Sequence, residues 1–267
     1  MVYTRVSNLI FIVIILSALA GTADAGILVT PERQVVTLSP KESETVEYQV
    51  YNSGPGDLDI LFDIKDWTGE GILKSIDIDS WLTLKEDNLS VGEGETKPFH
   101  VTVTAPDEVE GEMVGMLFLC YKEDKASPLN IRNGTPLYLV IEGTQKYTAK
   151  IKDIKIGYAA DLKKDALAIK VDVKNEGNVR IVPDIKVSIK NSKGEELKNF
   201  LFKRLKTILR GRPHTYEFTW RNIILPKGNY TITAELDYEG ELTGTKVGSE
   251  FNVTDKGLEI GPTKAKS

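Results

Sequence analysis

From residue 26 onward, hydrophobic and polar positions alternate. In Thr45-Val46-Glu47-Tyr48-Gln49-Val50-Tyr51, Val46, Tyr48 and Val50 share one face, and Glu47 and Gln49 take the other. This period of two marks a half-buried strand. The turn chemistry of Asn52-Ser53-Gly54-Pro55-Gly56 ends it. Residues 58–67 repeat the pattern, with Leu58, Ile60, Phe62 and Ile64 together, and residues 99–103 place Phe99, Val101 and Val103 inward. Trp81-Leu82-Thr83-Leu84 is a short strand, whereas residues 115–121 and 137–141 are continuously apolar and read as central strands. A second series covers residues 147–156, 166–173, 185–189, 214–220 and 230–238, punctuated by Asn175-Glu176-Gly177-Asn178 and Asn191-Ser192-Lys193-Gly194. The pattern predicts an all-β chain of two tandem immunoglobulin-like antiparallel β-sandwich domains, each of about seven strands or fewer.

The first residues follow a different rule. Arg5 precedes an apolar run at residues 9–16 (LIFIVIIL), and Ala23-Asp24-Ala25 supplies small residues before Gly26. That order reads as an N-terminal signal peptide over residues 1–25. The run is short for a permanent span, which needs about 20 apolar residues. The expectation is an exported protein of the periplasm or cell surface. The organisation expected after the signal peptide is a first sandwich over 26–143, a second over 146–254 and a flexible polar tail over 255–267. The polar stretch Glu142-Gly143-Thr144-Gln145-Lys146 is the boundary.

Charge divides the chain at that same boundary. Residues 26–145 hold 9 Lys+Arg against 22 Asp+Glu, and residues 146–267 hold 24 against 16, within an overall net charge of −5. Opposite halves either attract and dock on each other, or leave a basic half to face an anionic wall polymer or membrane. Nucleic acid is not an expected partner of an exported chain with an acidic half. Residues 198–212 (KNFLFKRLKTILRGR) concentrate the positive charge, and Lys203, Arg204, Lys206, Arg210 and Arg212 are the candidate polyanion-binding residues. Apolar positions 201, 202, 205, 208 and 209 fit one face of a helix. Phe200 and Phe202 also fit a strand, and Gly211-Arg212-Pro213 breaks any helix, so two strands joined by a loop are favoured in an all-β setting.

Two passages carry a family resemblance. The first is Trp81-Leu82-Thr83-Leu84, Leu89-Ser90-Val91-Gly92-Glu93, Val101-Thr102-Val103-Thr104-Ala105-Pro106 and Met113-Val114-Gly115-Met116-Leu117. It resembles the sandwich of PapD-like periplasmic chaperones. The second is Asn175-Glu176-Gly177-Asn178, Ile208-Leu209-Arg210-Gly211-Arg212 and Gly228-Asn229-Tyr230-Thr231. It is similar to the second domain of WxL-interacting-type bacterial surface proteins. The resemblance implies a non-enzymatic, chaperone-like protein that binds subunits of a pilus-like or other surface structure by strand donation. The alternative is a surface-binding or adhesion module whose basic half grips an anionic wall polymer or membrane.

By the same resemblance, a basic pair would anchor a subunit's C-terminal carboxylate, with Arg33 at the first-strand position. The strand at 137–141 contains no lysine, and Lys146 lies beyond it. Leu129 and Ile131 are the apolar candidates for partner binding, before Asn133-Gly134 interrupts the run.

Catalytic constellations are not found. His100 and His214 are the only histidines, and neither has a sequence neighbour at metal-ligand spacing. Nucleophile elbow, zincin and P-loop motifs do not occur. No enzyme activity, cofactor or metal is expected. Asp57, Asp59 and Asp63 match no calcium-loop template. The lone Cys120 cannot form an internal disulfide, and within residues 116–121 it reads as a small buried hydrophobe. Sequons occur at Asn88, Asn133, Asn229 and Asn252, of which Asn133 and Asn229 read as turn residues.

Overall fold

The computed structural model describes residues 26–67, 77–122, 130–158, 166–221, 225–238, 246–255 and 257–266. The expected signal peptide (1–25) and Leu129 lie outside the described residues. Alternation along each strand becomes two stacked sheets in each half, because successive side chains leave opposite faces of a strand.

One sheet of the first half contains, in order, β1 (Ile27–Thr30), β3 (Ser43–Asn52), β7 (Thr96–Thr104) and β5 (Leu82–Leu84). The facing sheet contains β2 (Gln34–Leu38), β9 (Ile131–Ile141), β8 (Glu112–Tyr121), β4 (Leu58–Asp66) and β6 (Asn88–Val91). These are the ABED and CFG sheets of an immunoglobulin sandwich, with β2 and β6 added at the ends of the CFG sheet. Their inner faces close on Tyr48, Phe99, Trp81, Leu82, Ile60, Leu117, Leu119 and Leu139. Tyr48 and Phe99 stack at 5.1 Å, and Phe62 tilts onto Phe99 at 4.8 Å.

The second half contains the sheet β10 (Ala149–Tyr158), β11 (Ala166–Asn175) and β14 (Pro213–Arg221). Against it lies the sheet β13 (Glu196–Phe202), β12 (Asp184–Asn191), β15 (Gly228–Asp237), β16 (Lys246–Thr254) and β17 (Gly257–Lys266). Ile154, Ile169, Val171, Val187, Ile189, Ile232 and Leu236 form a separate core. The two-sandwich, all-β expectation therefore holds.

Several details differ from expectation. The sheets are not wholly antiparallel, because β2 runs parallel to β9. After β1 pairs with β3, the chain crosses through a cis Thr30–Pro31 peptide to the other sheet. Residues 255–267, expected as a loose tail, contain β17, whose backbone pairs antiparallel with β16. Polar composition did not prevent pairing, because a ladder is built from backbone groups. Asn133 and Asn229 lie inside β9 and β15, opposite Leu119 and Asn252, rather than in turns. Residues 198–212 form the end of β13, then a loop with one bridge from Ile208 to Ile181.

A buried asparagine closes the same turn in both sandwiches. Asn52 Nδ2 donates to the Gly56 and Val91 carbonyls (2.8 and 3.1 Å), and its Oδ1 accepts from the Gly54 N–H (2.9 Å). Asn175 Nδ2 donates to the Val179 and Ile208 carbonyls (2.7 and 3.1 Å), and its Oδ1 accepts from the Gly177 N–H (2.9 Å). The facing turns also correspond. The Asn52 N–H donates to the Glu95 carbonyl, and the Asn175 N–H to the Arg212 carbonyl, both at 3.0 Å. Gly94 and Gly211 supply the left-handed residue before each acceptor.

The halves meet where β8 begins. Gly111 adopts φ +81°, and a Cβ there would stand 2.2 Å from the Asn178 carbonyl oxygen. Next to it, the Glu112 N–H donates to that same carbonyl (2.9 Å). Asn178 also caps the connector, accepting from the Lys146 N–H at 2.6 Å and donating to the Thr144 carbonyl at 2.9 Å. Gly111→Ala should therefore unseat the halves while leaving each sandwich intact. Small-angle scattering should show a larger radius of gyration at unchanged strand content by circular dichroism. An unchanged radius would show that the junction tolerates the extra carbon.

Candidate functional site

The sheet crossing by the chain leaves part of β9 uncovered. β2 pairs with β9 only from Gln34 opposite Leu137 to Leu38 opposite Ile141. Among the described residues, positions 131–136 have β8 on one side and no strand on the other.

The direction of the backbone groups follows from alternation. The Ile141 N–H donates to the Gly111 carbonyl on the β8 side (2.8 Å), and the Glu142 N–H donates to the Leu38 carbonyl on the β2 side (2.9 Å). β9 pairs with β8 without a register shift, so odd residues direct N–H and C=O at β8 and even residues direct them away. Arg132 and Gly134 thus present both groups to the open edge, whereas the Pro136 carbonyl faces Gln34 at the first position that β2 covers. Such a row is a template for an added strand.

Side chains beside this edge form a small apolar and charged cluster on the sheet's outer face. Arg132 Nη2 donates to Asp63 Oδ2 (2.5 Å), and its guanidinium carbon lies 3.6 Å from the Phe118 ring centre. Trp67, half exposed, meets Phe118 edge-on at 6.4 Å. Gly134 leaves room for that ring, since a Cβ there would reach 3.0 Å from Phe118 Cε1. This explains why Asn133-Gly134 does not break the strand: the glycine is shielded by its cross-strand neighbour. Nearby, a cavity of about 830 Å³ is lined by Asp59, Leu61, Cys120, Ile131 and Arg132, among others. Cys120 is half-buried in this wall, not enclosed in the core as expected, because it lies in register with outward-facing Leu61 and Arg132.

The expected partner-binding residues separate. Ile131 is half-buried, facing inward to pack on the first core. Arg33 is exposed in the bend before β2, and its charge acts on Tyr138. The second cation beside Tyr138 comes from the other half: the Arg180 guanidinium carbon lies 3.9 Å from the Tyr138 ring centre. Burial raises the Tyr138 hydroxyl above its ordinary range, against the opposing charges of Arg180 and Arg33.

Arg180 also holds Glu112, which is 2% exposed. Its guanidinium donates to Glu112 Oε2, and its backbone N–H to Oε1 (3.2 Å). Burial pushes the Glu112 carboxyl up to about 7 even against Arg180 and Arg210. Arg210, expected to meet a polyanion, is instead 8% exposed and donates through Nη1 to the Glu110 and Glu112 carbonyls (3.1 and 2.9 Å). It is committed to the junction and is corrected out of the polyanion set. Lys203, Arg204, Lys206 and Arg212 are exposed. No local pattern in the sequence marked Arg180 or Glu112, which lie 68 residues apart.

His100 contacts Glu86 (Nδ1 to Oε1, 3.0 Å) and lies 3.6 Å from Glu47. Among the described residues, no group of three or more His, Cys, Asp or Glu is placed to hold a metal ion.

No protein-family model matches the chain, and no curated protein matches it in sequence. Among solved structures, the resemblance to PapD-like chaperones reappears. The class 5 fimbriae chaperone CfaA matches at 13% identity and TM-score 0.46, covering 91% of this chain and 100% of that one. The chaperone–tip adhesion subunit complex of CsuC and CsuE from Acinetobacter baumannii matches at 14% and 0.42, covering 84% and 98%. The Pseudomonas aeruginosa CupB2 chaperone matches at 11% and 0.40, covering 90% and 100%.

Proposed function

We propose that this chain is an exported, non-enzymatic binding protein that takes an extended segment of a partner protein on the uncovered edge of β9. Its role would be chaperone-like, holding subunits of a pilus-like or other surface structure before assembly. The observation that carries this reading is the pair of residues, Arg132 and Gly134, whose backbone groups face away from β8 where, among the described residues, no strand covers them. Main-chain pairing would supply affinity, and the outer cluster of Phe118, Trp67 and Arg132 would meet the partner's outward side chains. Positions 131–136 present no row of large alternating apolar side chains. The edge would therefore receive a strand more readily than it would fill a partner's groove.

Two measurements test this. In the isolated protein, the Arg132 and Gly134 amides should exchange hydrogen much faster than the Tyr138 amide, which β2 covers. Arg132→Pro removes an edge N–H that pairs with nothing in β8, a site where proline is tolerated, whereas Arg132→Ala removes only the side chain. Crosslinked recovery of the exported partner should fall about five- to thirtyfold from the alanine to the proline variant, since a net hydrogen bond plus the lost register are worth about 1–2 kcal/mol. Equal recovery by both variants would sink the strand-addition reading.

A further inference from the structure

The positive charge of the second half is not evenly compensated. On the sheet of β10, β11 and β14, four lysines are matched with acids. Lys150 and Lys152 meet Glu176, Lys155 meets Asp153 and Asp172, and Lys170 meets Glu217, all within 3.2 Å. Lys152 and Lys150 hold the Glu176 carboxyl down at about 2. The rim at β13 is different. Among the described residues, Lys203, Arg204 and Lys206 form no ion pair, and all three are exposed, whereas Lys198 turns to the other face of β13 over the Phe200 ring (5.4 Å).

The same rim exposes apolar side chains. Leu201 is 56% exposed and stands in register with exposed Lys186. Leu197 is 42% exposed, at the irregularity where β13 shifts against β12. Behind them the rim is stiff. Phe202 stacks on Phe218 at 3.8 Å, and Phe200 meets Trp220 edge-on at 5.6 Å, tying edge strand β13 to edge strand β14 of the opposite sheet. The Arg204 N–H donates to Asp184 Oδ1 (2.7 Å), fixing the turn that carries Lys203 and Lys206 outward.

Unpaired cations flanking exposed leucines on a rigid edge match a particular surface. A soluble polyanion would use the charges but leave Leu197 and Leu201 in water. A bilayer with anionic headgroups uses both, since each basic residue near such a surface adds attraction and each buried apolar group adds more. We infer that the β13 rim seats the protein on an anionic membrane surface, with Lys203, Arg204 and Lys206 among the headgroups and Leu197 and Leu201 against the acyl boundary. This contact is independent of the open edge of β9, which belongs to the other sandwich.

The test uses the chain from Gly26, which carries every described strand and lacks the apolar run at residues 9–16. It is sedimented with vesicles of mixed phosphatidylglycerol and phosphatidylcholine, with phosphatidylcholine alone, and with polyphosphate as a soluble polyanion. Binding is expected to the mixed vesicles only, falling as salt rises. The triple variant Lys203→Gln, Arg204→Gln, Lys206→Gln should bind about 100-fold more weakly, roughly fivefold per charge. Leu197→Asn with Leu201→Asn should cost about tenfold. Circular dichroism and Tm should match the parent in both variants. No binding to the mixed vesicles, or equal binding to phosphatidylcholine alone, would overturn the inference. So would polyphosphate binding accompanied by leucine variants that bind vesicles normally, which would identify a polyanion site instead.

Discussion

Arg180→Ala is expected to destabilise the protein by about 2 kcal/mol at pH 8: about 1 kcal/mol for the lost hydrogen bond, and about 1 kcal/mol more because the buried carboxyl, left without its partner, must keep its proton about one pH unit above the parent's value of about 7. Glu112 is 2% exposed and receives both the Arg180 guanidinium and its backbone N–H. The penalty should depend on pH, with a sign set by burial. The Glu112 carboxyl is raised from 4.5 to about 7 by burial, with Arg180 and Arg210 opposing. A raised acid binds its proton more tightly in the folded state than in the unfolded one. Its contribution to stability is therefore full below about pH 4.5 and is lost as pH rises through about 7.

The parent protein should lose on the order of 3 kcal/mol between pH 4.5 and 8 from this group alone. Removing Arg180 removes an influence that lowers the carboxyl, so the loss in the variant should extend to higher pH and grow deeper. At pH 5, where the carboxyl is protonated in both proteins, the variant should cost only about 1 kcal/mol, the value of a lost hydrogen bond. Glu112→Gln should flatten the pH dependence. Urea denaturation at pH 5 and pH 8 measures all three. A penalty for Arg180→Ala that is larger at pH 5 than at pH 8 would show that Glu112 is not the group responsible.

Asn175→Ala should destabilise the second sandwich by about 3 kcal/mol, and Asn52→Ala the first by a similar amount. Each asparagine is fully buried and makes three hydrogen bonds to backbone groups. Truncation leaves two carbonyls and one N–H without these partners, at about 1–3 kcal/mol per buried group before relaxation. Aspartate is a sharper probe than alanine. It keeps an acceptor for the Gly177 or Gly54 N–H, but when ionised it has no donor for the two carbonyls. Asn175→Asp should therefore be at least as destabilising as Asn175→Ala, and less so in acid. If the sandwiches unfold in separate transitions, each substitution should move its own. An aspartate variant as stable as the parent would remove the donor role from the account.

The strand pattern was legible because its cause is local. Val46, Tyr48 and Val50 face one side whatever their strand pairs with, so the all-β class and its two series of strands follow from period alone. The turn at Asn175-Glu176-Gly177-Asn178 was also legible from composition. That its side chain is a buried clamp, matched by Asn52, was not, because the acceptors at Ile208 and Val91 lie 33 and 39 residues away. Gly134 misled for a related reason. A glycine weakens a strand in isolation, yet here Phe118 of the neighbouring strand covers it.

Charge shows the same division most clearly. The sequence by itself determined that the second half carries the excess of lysine and arginine, and left open whether that half docks on the acidic one or faces an anionic partner. Tertiary structure alone decided which cations are spent at the junction and which remain outside. Arg210 and Lys206 are four residues apart in one basic segment, but Arg210 is buried against the Glu110 and Glu112 carbonyls while Lys206 stays exposed. Likewise, the order of residues sets where β2 begins and ends, while the parallel pairing with β9 decides that, among the described residues, no strand covers Arg132 and Gly134. The physical reason is range. Side-chain period and turn chemistry act over a few residues, whereas burial, ion pairing and an open strand edge depend on which distant segments the two cores bring together.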